Sequence, residues 1–124
     1  MARGKVLCVS FDKMVADNRS AILKEAGYDV TATTLVKNAL ELLSRDRFDA
    51  VIIGHRFSAE ERYLLASEAK EKSNIPLVLV CGVSADSEIP AARRVYALEG
   101  NAGLLSALSE VIPSEGATRP QVAA

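Results

Sequence analysis

Phe48-Asp49-Ala50-Val51-Ile52-Ile53-Gly54-His55 is a polar entry followed by an apolar run that stops at a glycine and the chain's single histidine. The run shows no alternation, so both of its faces ask for apolar cover, the pattern of a strand inside a parallel sheet sandwiched by helices. In such sheets ligand chemistry sits just beyond the carboxyl ends of the strands, which places Gly54 and His55 where a reactive group is expected. No obvious nucleophile is there.

At 124 residues the chain is long enough for one domain with a sizeable core. Its apolar share of 49% and charged share of 25% are those of an ordinary globular protein. Fifteen Lys and Arg against 16 Asp and Glu give a net charge of −1, which offers no general attraction to nucleic acid or to an anionic membrane, so neither is expected as a partner. Cys8 and Cys81 both fall in apolar runs, where a thiol acts as a small hydrophobe, and two such residues make no disulfide framework. With no cleavage pattern near the amino terminus and no apolar run of membrane-spanning length, a reducing cytoplasm is the expected compartment.

Working outward, Lys5-Val6-Leu7-Cys8-Val9-Ser10 predicts a first buried strand, with Asp12 as the cap of a helix from about Lys13 to Ala26. Val15, Ile22, Leu23 and Ala26 supply its inner face, and Gly27 stops it. Residues 28–33 alternate like a half-covered strand, and Thr34 is positioned to cap a second helix carrying Leu35, Ala39, Leu42 and Leu43 on one stripe. After the central strand, Ser58-Ala59-Glu60-Glu61 has the form of a capping box opening a helix to about Lys72. Leu77-Val78-Leu79-Val80-Cys81 predicts a fourth doubly buried strand. A short helix around Ala91 to Arg93 and a strand at Val95-Tyr96-Ala97-Leu98 follow. Asn101 then caps a last helix whose Leu104, Leu105, Leu108, Val111 and Ile112 share one side. The domain is expected to occupy residues 1–113, and the aperiodic polar stretch 114–124 to be a disordered tail.

Five strand signals alternating with five helix signals imply βαβ units with right-handed crossovers. The expected fold is α/β and flavodoxin-like: a doubly wound five-stranded parallel sheet in the order 2-1-3-4-5, helices on both faces, its crevice at the ends of strands one and three.

On these pieces the chain resembles the receiver domain of two-component response regulators over residues 4 to about 112. The likeness rests on the Lys5–Val9 strand, the run Ile22-Leu23-Lys24-Glu25-Ala26-Gly27-Tyr28-Asp29-Val30, and Ala39-Leu40 in the second helix. Phe48-Asp49, Ile75-Pro76 and Tyr96 complete it. The resemblance implies two metal-binding acids after the first strand, a phosphoacceptor aspartate ending the third, a hydroxyl residue ending the fourth and a lysine ending the fifth. This chain departs at every one of those positions, with Ser10 and Phe11 at the acidic pair, Gly54 at the phosphoacceptor, Cys81 at the hydroxyl position and Glu99 at the lysine. Mg²⁺ requires hard carboxylate and water oxygens in octahedral array, which Ser10, Phe11 and Gly54 do not supply. Phosphorylation on aspartate, a metal and a cofactor are therefore not expected, and nor is an enzyme: no P-loop, dinucleotide fingerprint or Ser-His-Asp pattern is present.

Several residues have more than one reading. His55 is either a polar loop residue at the mouth of an abandoned site, a replacement phosphoryl acceptor, or a metal ligand with Asp12, Cys81 and Glu99 in the crevice. Asp12 is simplest as a helix cap, Cys81 as a packed strand end, and Glu99 as a solvated acid or a permanent negative charge imitating an activated state. Tyr96 falls at the family's switch aromatic, and with Arg93 and Arg94 it forms a basic, aromatic edge of a composition favoured at protein contacts. Three functional classes follow. The first is a phosphorylation-independent interaction or dimerisation module, stand-alone and receiver-like, in bacterial phosphorelay signalling; its partner is a signalling protein or a second copy of the chain. The second is a receiver fold whose crevice binds a metal or small ligand, and the third an unrelated enzyme on the same fold. The first is the expectation carried forward.

Overall fold

The computed structural model describes residues 4–54, 57–73, 75–81, 93–96 and 100–112, with backbone alone at 59, 72, 73, 81 and 96. The central run forms β3 (Ala50–Ile53), every residue of which is fully buried. It pairs in parallel with β1 (Lys5–Val9) on one side and β4 (Leu77–Cys81) on the other, and β2 (Asp29–Thr33) and β5 (Arg93–Tyr96) complete the order β2-β1-β3-β4-β5. This is the flavodoxin-like arrangement expected of the sequence.

Because successive strand residues point to opposite faces, each strand contributes to two cores. Leu7, Val9, Val51, Ile53, Leu77 and Leu79 pack under α2 (Val36–Arg45) and α3 (Ala59–Ser73). Val6, Cys8, Ala50, Ile52, Val78 and Val80 pack under α1 (Lys13–Glu25) and α4 (Gly100–Val111). Each fully buried large aliphatic is worth about 1.5–3 kcal/mol relative to exposure, so both faces of β3 hold the layers together.

Two predicted caps form. Asp12 accepts the Val15 amide at 3.0 Å. Ser58 and Glu61 make the reciprocal capping box, with the Glu61 amide donating to Ser58 Oγ at 3.1 Å and the Ser58 amide to Glu61 Oε1 at 3.0 Å. Gly27, at φ 105°, ends α1 in a conformation open to glycine at little cost.

Other local expectations are corrected. Leu23 is buried and Ala26 packs against the same core, as expected, but Val15 lies outward on α1 and Ala16 is buried in its place. Thr34 does not cap α2. The Thr33 hydroxyl accepts the Leu35 amide instead, at 3.2 Å, and Leu35 stands at the N-cap more than half exposed rather than on the inner stripe. Arg93 is not helical, because the edge of β4 takes it into a ladder opposite Val78, and β5 accordingly starts before Val95. The last helix begins at Gly100, at φ 65°, which puts Asn101 inside it rather than at its cap. Ala91, Ala97, Leu98 and the tail 114–124 lie outside the described residues.

Replacing Ser58 by Ala removes one side of the capping box, and a loss of about 1 kcal/mol is expected. Urea unfolding should show a lower midpoint with an unchanged slope.

Candidate functional site

The carboxyl ends of β1 and β3 are held level by the sheet. The Gly54 amide donates to the Val9 carbonyl at 2.9 Å, and the Ser10 amide to the Thr33 carbonyl at 3.1 Å. Ser10 and Gly54 therefore form the floor of the crevice, both buried. Ser10 carries the parity of Cys8, so its side chain turns toward the face covered by α1.

Arg19 descends onto that floor from α1. Ala16, Arg19 and Leu23 recur at helical spacing on the inner stripe, so the arginine is half-buried and its long stem lies along the helix–sheet seam. Its Nη1 donates to Ser10 Oγ at 3.2 Å. A Cβ built on Gly54 would meet that same Nη1 at 3.5 Å, the Val9 carbonyl at 3.5 Å and Ser10 Cα at 3.7 Å. The guanidinium thus stands at the place toward which any side chain at position 54 would grow.

Phe11 and Phe57, from the loops after β1 and β3, meet edge to face with centroids 5.9 Å apart at 71°, Phe57 buried and Phe11 half exposed. Beneath, Cys8 Sγ lies 3.6 Å from Ser10 Oγ, either atom donating. Burial pushes the Cys8 thiol above its ordinary value of 9.0; the Ser10 hydrogen bond and the Arg19 charge pull part of that back.

Of the sequence-predicted site residues, Ser10, Phe11 and Gly54 come together here, and Asp12 follows with its carboxylate on the Val15 amide. His55 and Glu99 lie outside the described residues, as do the side chains of Cys81 and Tyr96. Cys81 and Tyr96 are backbone partners across β4 and β5. Arg93 is drawn into its own domain, its Nε and Nη2 donating to the two carboxylate oxygens of Glu110 on α4 at 3.0 and 3.4 Å, and its Nη1 to the Arg94 carbonyl. The basic edge near Tyr96 is to that extent already neutralised. Arg19 was not among the expected residues; the signal for it is its place three residues after Ala16 and four before Leu23.

The site does not fit a divalent ion. Ser10 offers a hydroxyl already bonded to a guanidinium, Phe11 and Gly54 offer no side-chain oxygen, and among the described residues no group of three His, Cys, Asp or Glu is placed to hold a metal. Arg19 adds repulsion of about 4 kcal/mol per unit of positive charge at ~4 Å and an effective dielectric of ~20.

The fold is shared with receiver domains. The receiver domain of a sensor histidine kinase from Pseudomonas aeruginosa, solved with magnesium coordinated in its active-site cleft, superimposes with a TM-score of 0.77 at 21% identity, covering 90% of this chain and 98% of that one. A response regulator receiver protein from Sinorhizobium medicae gives 0.78 at 23% identity over 87% and 93%. Chemotaxis protein CheY4 of Vibrio cholerae gives 0.72 at 21% over 90% and 98%. No family model and no curated protein matches the sequence. The chain has the receiver-domain fold of two-component signalling proteins, and among the described residues no helix is long and apolar enough to cross a membrane.

The direction of the Cys8 shift fixes a pH dependence. The folded thiol holds its proton more tightly than the unfolded one, so its contribution to stability is complete below 9.0 and is lost as the pH rises toward the folded value. Unfolding measured at about pH 8 and about pH 10 should show a smaller alkaline loss in Cys8→Ala than in the natural chain.

Proposed function

We propose that this chain is a degenerate receiver that acts as a phosphorylation-independent interaction module in two-component signalling. It has no enzymatic role and no cofactor, and it works in the cytoplasm by binding a partner protein or a second copy of itself, without nucleic acid or membrane. The observation that carries the reading is the Arg19 guanidinium on Ser10 Oγ, 3.5 Å from the Cβ position of Gly54, which has no side chain to act as acceptor. Phosphoryl transfer to a carboxylate needs a nucleophile and a counter-cation for the developing charge. Glycine supplies no nucleophile, and a fixed arginine in place of hard oxygen ligands leaves no seat for Mg²⁺. The Pseudomonas receiver domain coordinates magnesium in its cleft, and this crevice has the opposite charge preference.

A receiver fold without that chemistry retains its surface. The region around β5 and the segment before it, where a short helix is expected, is the proposed contact, with Tyr96, Arg93 and Arg94 at its edge. The bidentate Arg93–Glu110 pair supports a role for Arg93 in fixing α4 against β5, so that the surface is presented in one arrangement. Glu99, if it stands at the lysine position of the resemblance, contributes a permanent negative charge. The reading in which Asp12, His55, Cys81 and Glu99 bind a metal loses support from Asp12, whose carboxylate caps α1.

Intact mass after incubation with a small phosphodonor and Mg²⁺ should show no added phosphoryl group. Gly54→Asp should also stay unmodified, because its new carboxylate would sit beside Arg19, and among the described residues no group of three His, Cys, Asp or Glu is placed to hold the metal. A phosphoryl group on the natural chain that disappears in His55→Ala would overturn the proposal.

A further inference from the structure

We propose that the crevice is an oxyanion site, in which the Arg19 guanidinium meets a phosphate or carboxylate oxygen beside Gly54. The proposal goes beyond the interaction-module reading and does not depend on it.

Three observations converge. Arg19 is a positive charge brought to the crevice floor, where it makes one hydrogen bond, to Ser10 Oγ, and pairs with no acid among the described residues. A guanidinium has five N–H donors in a planar fork that matches carboxylate and phosphate, so one bond to a neutral hydroxyl leaves most of that capacity unused. Among the described residues other than its chain neighbours, no atom lies closer than 3.5 Å to the point where a Cβ on Gly54 would stand, so a side chain there would be in ordinary contact without a clash, and Arg19 Nη1 is one of the two atoms at that distance. An oxygen reaching the space that a side chain at 54 would occupy therefore arrives next to the cation. Asp12, the acid at the entrance, is committed to the Val15 amide.

The oxyanion has two sources, a free phosphate or an acidic group carried by a partner, and both offer the same recognition chemistry. The test separates them by titrating the natural chain and Arg19→Gln with inorganic phosphate and, in parallel, with acetate, each against sodium chloride of equal ionic strength. Thermal unfolding and amide NMR shifts are the readouts. At ten times the half-saturating concentration, mass action biases the equilibrium about tenfold toward the folded state, a rise of several degrees in Tm. The expected result is such a rise with at least one anion, with saturable shifts at Ser10 and Gly54, and its loss in Arg19→Gln. A response to phosphate alone indicates a free phosphate, and a response to acetate a carboxylate donor. Neither anion acting beyond chloride, or equal action on Arg19→Gln, overturns the proposal. Should Arg19→Gln not fold, the shift map of the natural chain decides: perturbation confined to residues away from Ser10 and Gly54 overturns it. Intact mass reads covalent transfer and this titration reads reversible binding, so the two proposals fail separately.

Discussion

Burial of β3 on both faces is the constraint on which the rest of the molecule depends. Ala50, Val51, Ile52 and Ile53 have no exposed surface, and each alternate residue commits one face of the sheet to a helical layer. A strand of this kind has to lie between two parallel neighbours, with crossovers that carry helices to both sides. Once β1 and β3 are adjacent and in register, Ser10 and Gly54 must stand together at their ends. The crevice is therefore a consequence of the core, and it persists whatever chemistry its residues carry.

What those residues carry is an inverted charge. In a site that holds a divalent ion, carboxylates gather around the cation. Here the cation is covalently tethered on α1, the hydroxyl of Ser10 takes its hydrogen bond, and the Cβ position of Gly54 lies 3.5 Å from it. The tethered charge is half-buried in the folded state, where it repels a second cation. Cys8, beneath Ser10, feels the same environment: loss of solvent raises its pKa more than the nearby hydrogen bond and guanidinium lower it, which keeps the thiol protonated and unreactive at neutral pH.

The apolar runs announced the strands, since no other element buries both faces over four or five residues, and the alternation of elements announced the order of the sheet. Ser58 and Glu61 announced the start of α3, because a capping box is a local hydrogen-bond pattern that sequence spacing reveals. Arg19 was not legible. Val15 is the larger apolar residue and drew the expected inner face toward itself, and only packing against the sheet selects Ala16 beside Leu23 and so turns the arginine inward. Arg93 and Glu110, 17 residues apart, meet only because α4 crosses β5, and pairing with β4 overrode the helical reading of Arg93. The failures thus fall where tertiary contact chooses between near-equal local options.

The central claim is that a fixed guanidinium has replaced the cation-binding chemistry of this crevice. Following backbone amide shifts of the natural chain during a magnesium chloride titration, with sodium chloride matched for ionic strength, tests it most directly. The account predicts no saturable change at Ser10, Phe11 or Gly54, only the small uniform drift of ionic strength. A saturable, magnesium-specific change centred on those three residues would contradict it.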